Sequence, residues 1–308
     1  MNSKVLEAIK KSAAVPSIPQ VVTRFLEIMQ DPDFDYNDLV KVLSADAGTV
    51  SEILRLVNSA LFGVRQKIVS LRQALTLLGP KRTRSLLLGR YLVDTMTQRH
   101  VAGLDMKYFW RRSLASSVVG ARLADKVLPR LREEAFIAAL LADIGVPILA
   151  ETMPDRYAPI LKRYAPKGRP FTAEQELDAV EATHAQVSAM VLAHWTLPEI
   201  VTRAVNLHHS KNPGDSDFAA IARILNASDS IARILCEPPD ADEVVEVCTK
   251  ATAFAGVEVG DLVNLLPDVE GDLEELAEVL RIDVISSSVY SVIATSVQER
   301  LMSPAGRG

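Results

Sequence analysis

Cysteine is scarce in this chain. Only Cys236 and Cys248 carry a thiol among 308 residues, too few for a disulfide framework or a cysteine-based zinc site. Both lie in apolar, helix-patterned text and are expected as reduced core residues. Aromatic residues amount to 5% against 48% hydrophobic residues overall. The apolar load therefore falls on Leu, Val, Ile and Ala, and Leu and Ala are strong helix formers. Positive charge is not in excess: 34 basic against 39 acidic side chains give a net charge of −5. That argues against a chain-wide nucleic-acid surface, which needs a positive field. Long hydrophobic runs are missing too. The most apolar stretch, AFIAALLADIGVPILA, is broken by Asp143 and falls short of the roughly 18 uninterrupted apolar residues of a membrane span. The opening MNSKVLEAIKKSAAV alternates apolar and charged residues at helical spacing and does not read as a signal peptide. No membrane insertion and a cytoplasmic location are the expectations. There is no Gly-rich phosphate loop, no nucleophile elbow and no β-alternation of useful length.

What the sequence does have is helical periodicity almost from end to end. Pro19 opens a helix predicted to run to Gln30, with Val22, Phe25, Leu26 and Met29 on one face. Asp35 is placed to cap the next helix, which turns Leu39, Val40 and Leu43 inward. Ala47 to Ala60 follows, burying Val50, Ile53, Leu54 and Val57. Ser70 with Gln73 reads as a capping box, Gly79-Pro80 as a stop, and a helix follows from about Lys81 to Thr97. Asp105 caps a long helix from Met106 to Leu128, which Pro129 ends; Glu133 to Leu141 is another, interrupted at Asp143-Ile144-Gly145. Two more capping boxes pair Thr172 with Gln175 and Thr183 with Gln186. Pro198 opens a helix ending near His208-His209, and the next helix carries Asp229. The predicted class is all-α, two packed helical lobes dividing near residue 100. Residues 1–100 form the first lobe and 101–236 the second. Residues 237–302 are amphipathic helices packed on the second lobe, and 303–308 a disordered tail.

Two stretches are more specific. The first is SIPQVVTRFLEIMQDPDFDYNDLVKVLSADAGTVSEILRLVNSALFG, followed by IVSLRQALTLLG. Its ordered set is Ile18-Pro19, Asp31-Pro32, Asp46, Asn58-Ser59-Ala60, Phe62-Gly63, Ser70-Leu71, Ala74 and Leu78-Gly79. The set closely resembles the N-terminal part of the HDOD family, and the resemblance extends over roughly Val15 to His209. Turn chemistry accounts for most of the signature residue by residue. Asn58 and Ser59 suit a helix end, Phe62 packs, and Gly63 supplies a positive φ.

The second stretch resembles the HD superfamily of metal phosphohydrolases, to which the HDOD family is related in fold. The resemblance implies an HD-like helical bundle in which a His, a His-Asp pair and a later Asp would face one cavity. FWRRSLASSVVGA aligns with the first-ligand helix, with Arg112 where the enzymes have His; LLADIG aligns with the His-Asp motif, with Ala142 for His and Asp143 kept. ILNASDSIA aligns with the last-ligand helix, with Asp229 kept. Two of four ligands remain. Guanidinium has no lone pair to give and stays protonated, so no metal, no cofactor and no catalytic residue are expected. Arg112 is expected to pair with Asp143, Asp229 or both, because two close carboxylates would otherwise repel. His184, His208 and His209 also follow the family pattern and are read as a residual polar cleft.

Arg72, Lys81, Arg82, Arg84 and Arg90 form a basic cluster read as a solvated helix face, and Trp110 and Trp195 are read as core anchors. The resemblance implies a bacterial signal-transduction output domain that binds signalling proteins without turnover. Two alternatives stand beside it: a divergent metal phosphohydrolase, and a nucleotide- or cyclic-dinucleotide-binding pseudoenzyme.

Overall fold

A computed structural model describes residues 3–302 except 32, 60–63, 65, 165–171, 238–239, 281 and 283–286. Ala60, Phe62, Gly63 and the tail 303–308 therefore lie outside the described residues. Among the described residues there are sixteen α-helices and no strand. In chain order they are α1 (Ser3–Lys11), α2 (Gln20–Ile28), α3 (Tyr36–Ser44), α4 (Ala47–Asn58), α5 (Leu71–Thr97), α6 (Met106–Val127), α7 (Arg132–Leu141) and α8 (Gly145–Thr152). They continue as α9 (Pro154–Tyr164), α10 (Ala173–Val180), α11 (His184–His194), α12 (Glu199–Leu207), α13 (Asp217–Cys236), α14 (Ala241–Ala255), α15 (Val259–Leu280) and α16 (Ser287–Met302).

Local chemistry sets most boundaries. Asp35 accepts from the Asn37 amide at 2.8 Å, and the Asp46 and Asp105 carboxylates accept the first free amides of α4 and α6. These bonds satisfy donors that a helix start leaves without partners. Thr172/Gln175 and Thr183/Gln186 each close both halves of a capping box. Ser70 differs. Its hydroxyl accepts from the Gln73 amide at 3.2 Å, but the Gln73 side chain accepts from Val69 rather than Ser70, so only half of the predicted box forms. At Gly79-Pro80 the helical trace breaks where expected, with φ 72° at Gly79, yet the chain re-enters a helix at once and α5 continues as a kinked rod.

α6 is the axis of the second lobe. Nearly every residue from Tyr108 to Ala124 is buried, and it packs chiefly on α13 and α7. Small residues let the helices approach: Ser116 and Ser228 hydroxyls meet at 3.1 Å, and a Cβ at Gly120 would lie 3.3 Å from the Ser228 hydroxyl. Pro129–Thr152 is apolar enough to cross a membrane by composition, but 89% of its most apolar window is buried inside this core. Cys248 is buried and Cys236 half-buried, and burial pushes both thiols up to about 12.

The lobes share one apolar cluster running from Val5 to Val297. α1 packs on α8, so the first residues belong physically with the second lobe. Three side chains reach across the junction. Trp195 Nε1 donates to Pro16 O at 2.9 Å, Arg99 pairs with Glu151 at 2.9 Å, and Arg84 donates to Thr196 O. The C-terminal helices do more than cover the second lobe. α15 packs on α6 through Arg122–Asp272 at 2.7 Å and also reaches α4.

The basic cluster is solvated only in part: Arg72 is exposed, whereas Arg84 and Arg90 are partly buried. Arg90 is partly buried against Glu52, Asp94 and Thr49, Arg82 faces Glu133 at 3.5 Å, and Arg72 meets Asn37. Asn58 donates to Leu54 O and Ile68 O and accepts from the Ile68 amide at 2.7 Å, so it fastens the following loop to the end of α4. Ser59 donates to Leu56 O at 2.8 Å.

One close approach positions the site described next. A Cβ at Gly145 would lie 2.2 Å from the carbonyl oxygen of His184, a main-chain atom that cannot step aside. Gly145→Ala is expected to lower stability by about 1–3 kcal/mol through overpacking, read as a shifted urea midpoint. A change below about 0.5 kcal/mol, the range of an ordinary surface substitution, would contradict this account.

Candidate functional site

Six helices and the turn between α7 and α8 bring the site together. α6 supplies Arg112, the turn supplies Asp143, α9 supplies Tyr157 and Tyr164, and α10 supplies Glu176. His184 is the first residue of α11, His208 and His209 follow α12, and Asp229 projects from α13. The sequence separates these groups by more than a hundred residues; the bundle places them in one buried region.

Arg112 forks onto Asp229, with Nε to Oδ1 at 2.9 Å and Nη2 to Oδ2 at 2.7 Å. This is the bidentate geometry in which a guanidinium matches a carboxylate best. Of the expected partners Asp229 is the one it grips. Burial opposes the charge on Arg112, but Asp229 outweighs it and holds the guanidinium protonated well above its ordinary range. The same group lies 4.8 Å over the ring of Tyr164, whose hydroxyl donates to Asp143 Oδ2 at 3.0 Å. Asp143 thus has one oxygen engaged. The other, Oδ1, is buried with no hydrogen-bond partner and faces Nε2 of His184 and Nε2 of His208, each at 3.5 Å.

The imidazoles form a cluster, not a cleft. His184 is 2% exposed and His208 1%, and only His209 reaches partial exposure. His184 Nε2 lies 2.9 Å from His209 Nε2 and 3.4 Å from His208 Nε2. His194, at the other end of α11, is exposed and takes no part.

Neighbours fix how the rings point. His184 Nδ1 meets Glu176 Oε2 at 2.8 Å, and the same oxygen accepts the His184 amide at 3.0 Å. Tyr157 donates to the other oxygen of Glu176. His208 Nδ1 meets Val205 O at 2.6 Å. Both Nδ1 atoms face acceptors and must carry the proton, so both Nε2 atoms are turned inward. In the absence of another cation a proton on His184 balances the carboxylates. Burial alone would lower its pKa, but Glu176 and Asp143 raise it to about 10. Burial would likewise favour a neutral Asp143, yet His184 and His208 hold it well below the usual carboxylate range. His209 is held neutral, first by burial and then by the two neighbouring imidazoles.

The residues fit two requirements differently. The set at 112, 142, 143 and 229 does not fit a metal ion. It offers a permanent cation, a methyl group, a carboxylate already occupied on both oxygens and, at Asp143, a single open oxygen. The set Asp143, His184, His208 and His209 does fit one, as its four ligand atoms lie within 4.8 Å of one another. Sequence reasoning treated these imidazoles as remnants and missed Tyr157, Tyr164 and Glu176 altogether. No spacing rule points to them, because α9 and α10, which carry them, meet the other groups only through the packing of the bundle.

An all-helical bundle with a buried imidazole–carboxylate cluster beside an arginine–aspartate fork defines the class. The chain belongs to the HDOD domain family, whose profile matches residues 15–211. α13, with Asp229, lies beyond that match. An uncharacterised protein of Treponema pallidum (strain Nichols) is 26% identical over 206 residues, covering 64% of this chain and 38% of that protein. This chain thus matches well under half the length of that relative. Among solved structures, a candidate phosphohydrolase from Shewanella amazonensis SB2B superposes with a TM-score of 0.69 at 21% identity, covering 90% of this chain and 98% of that one. An HDOD domain protein of unknown function from Geobacter sulfurreducens gives 0.57 at 18% identity, covering 96% and 94%. At such identities these likenesses concern the fold alone.

Removing Arg112 leaves Asp229 buried without its partner. Arg112→Met is expected to cost about 3–5 kcal/mol, and the double change Arg112→Met with Asp229→Leu to recover most of it, because a buried pair stabilises little beyond an apolar replacement. Chemical denaturation of both variants checks this. Equal losses in the single and double variants would show that the fork is not what holds this corner.

Proposed function

We propose that this HDOD protein is a cytoplasmic signal-transduction module that works by binding protein partners and not by turnover. The observation that carries the reading is the fork of Arg112 on Asp229. A phosphohydrolase of the HD type needs a metal held between these positions to polarise the phosphoryl group and activate water. Here a guanidinium holds that place, and it can neither coordinate nor be deprotonated at working pH. Access supports the same reading: Asp143, His184 and His208 are each under 10% exposed, which leaves little approach for a phosphoester.

The junction between lobes favours a binding platform that acts as one body. Contacts from Trp195, Arg99 and Arg84 and a continuous apolar cluster hold the two halves together. A partner would meet a fixed surface, and fixed surfaces lose less entropy on association.

Phosphodiesterase and phosphomonoesterase assays on nucleotides and cyclic dinucleotides, with Mn²⁺ or Ni²⁺ supplied, test the reading. The expected result is no turnover above that of an Asp143→Ala control. Turnover that vanishes in the control would make the protein an enzyme.

A further inference from the structure

We infer that Asp143, His184, His208 and His209 bind a single divalent late-transition-metal ion, of the Zn²⁺ or Co²⁺ kind, as a closed structural site beside the arginine-occupied corner. This goes beyond the regulatory reading and does not depend on it.

Four observations carry the inference. First, the donors are oriented before any ion arrives. Glu176 holds Nδ1 of His184 and the Val205 carbonyl holds Nδ1 of His208, so both Nε2 atoms point inward. A carboxylate or carbonyl behind an imidazole is the usual outer support of a metal-bound histidine. Second, Asp143 Oδ1 is a buried polar atom with no hydrogen-bond partner, and it points at the imidazoles. An atom left without a hydrogen bond in a buried site is unfavourable, and a coordinated cation would satisfy it.

Third, the spacing suits four-coordination. Bonds of about 2.0–2.1 Å in a tetrahedron put neighbouring donors about 3.3–3.4 Å apart. The cluster has Nε2–Nε2 separations of 2.9 and 3.4 Å and Nε2–Oδ1 separations of 3.5 Å. With all four atoms within 4.8 Å, small ring rotations close the remainder. Fourth, charge balances. Glu176 takes hydrogen bonds from Tyr157 and from the amide and ring of His184, so it acts as an acceptor-only carboxylate. With Asp143 it opposes a charge of two, while Arg112 and Asp229 cancel each other.

The donor set decides the class of ion. Three imidazoles and one carboxylate suit Zn²⁺, Co²⁺ or Ni²⁺ and disfavour Mg²⁺ and Ca²⁺, which prefer all-oxygen shells. Three protein ligands plus water mark a catalytic zinc site, whereas four protein ligands mark a structural one. An ion here would join the α7–α8 turn, the start of α11 and the end of α12.

The test uses the full chain, stripped with a chelator and titrated separately with Zn²⁺, Co²⁺ and Mg²⁺. Calorimetry, metal analysis after desalting and thermal unfolding are followed. The expected result is one Zn²⁺ or Co²⁺ per chain, a raised Tm, strong visible ligand-field bands for the Co²⁺ form, and no effect of Mg²⁺. His209→Gln removes the most exposed donor and is the variant best placed to keep its fold, checked by circular dichroism. Glu176→Gln leaves all four donors and is expected to weaken binding about 10–100-fold. Substoichiometric Zn²⁺ and Co²⁺ with an unchanged Tm would mean that a proton alone holds the cluster, and would overturn the inference. So would stoichiometric binding undiminished in both variants. Turnover by the loaded protein would overturn the regulatory reading and leave the site standing; a metal-free, inactive protein would do the reverse.

Discussion

Arg112 carries a charge that cannot leave, and it carries it into a corner enclosed by carboxylates. A metal ion can dissociate and a histidine can lose its proton, but a guanidinium stays cationic at any pH the fold survives. Its fork takes both oxygens of Asp229, and its flat face covers Tyr164. Tyr164 in turn gives its hydroxyl to one oxygen of Asp143 and leaves the other facing the imidazoles. Through two contacts the arginine thus fixes which side of Asp143 is available. The corner nearest α6 and α13 becomes a permanent internal ion pair, and the chemistry that remains open is displaced toward α11 and α12.

That displacement divides the buried charges into two balanced groups. On one side a guanidinium and Asp229 neutralise each other. On the other, Asp143 and Glu176 surround three imidazoles and call for a cation, either a proton or a metal ion. Uncompensated charge in a helical core is expensive, and the two groups are close enough to influence each other's ionisation. Ends of elements supply the second group: a turn, a helix start and a helix end. Such positions tolerate side chains aimed inward because the backbone there is already irregular.

The surroundings of the site are rigid for reasons of packing rather than of chemistry. α6 is buried on nearly all sides, and Gly145 sits against the main chain of His184 with no room for a methyl group. Contacts from Trp195, Arg99 and Arg84 join the first lobe to the second.

Much of the fold was legible from residue order. Aspartates 35 and 105 cap the helices they were expected to cap, and two Thr/Gln boxes close in full, because capping involves residues only two or three positions apart. That Arg112 would take a carboxylate partner was legible from its residue type alone. The side-chain partnerships were not. The sequence left Arg112 a choice of two carboxylates, took the basic residues of α5 for a solvated face, and offered no hint of Glu176, Tyr157 or Tyr164. Those facts depend on which sides of six helices meet. That is decided by how apolar faces of the whole bundle pack together, over separations of tens to more than a hundred residues, where no periodicity or spacing rule reaches.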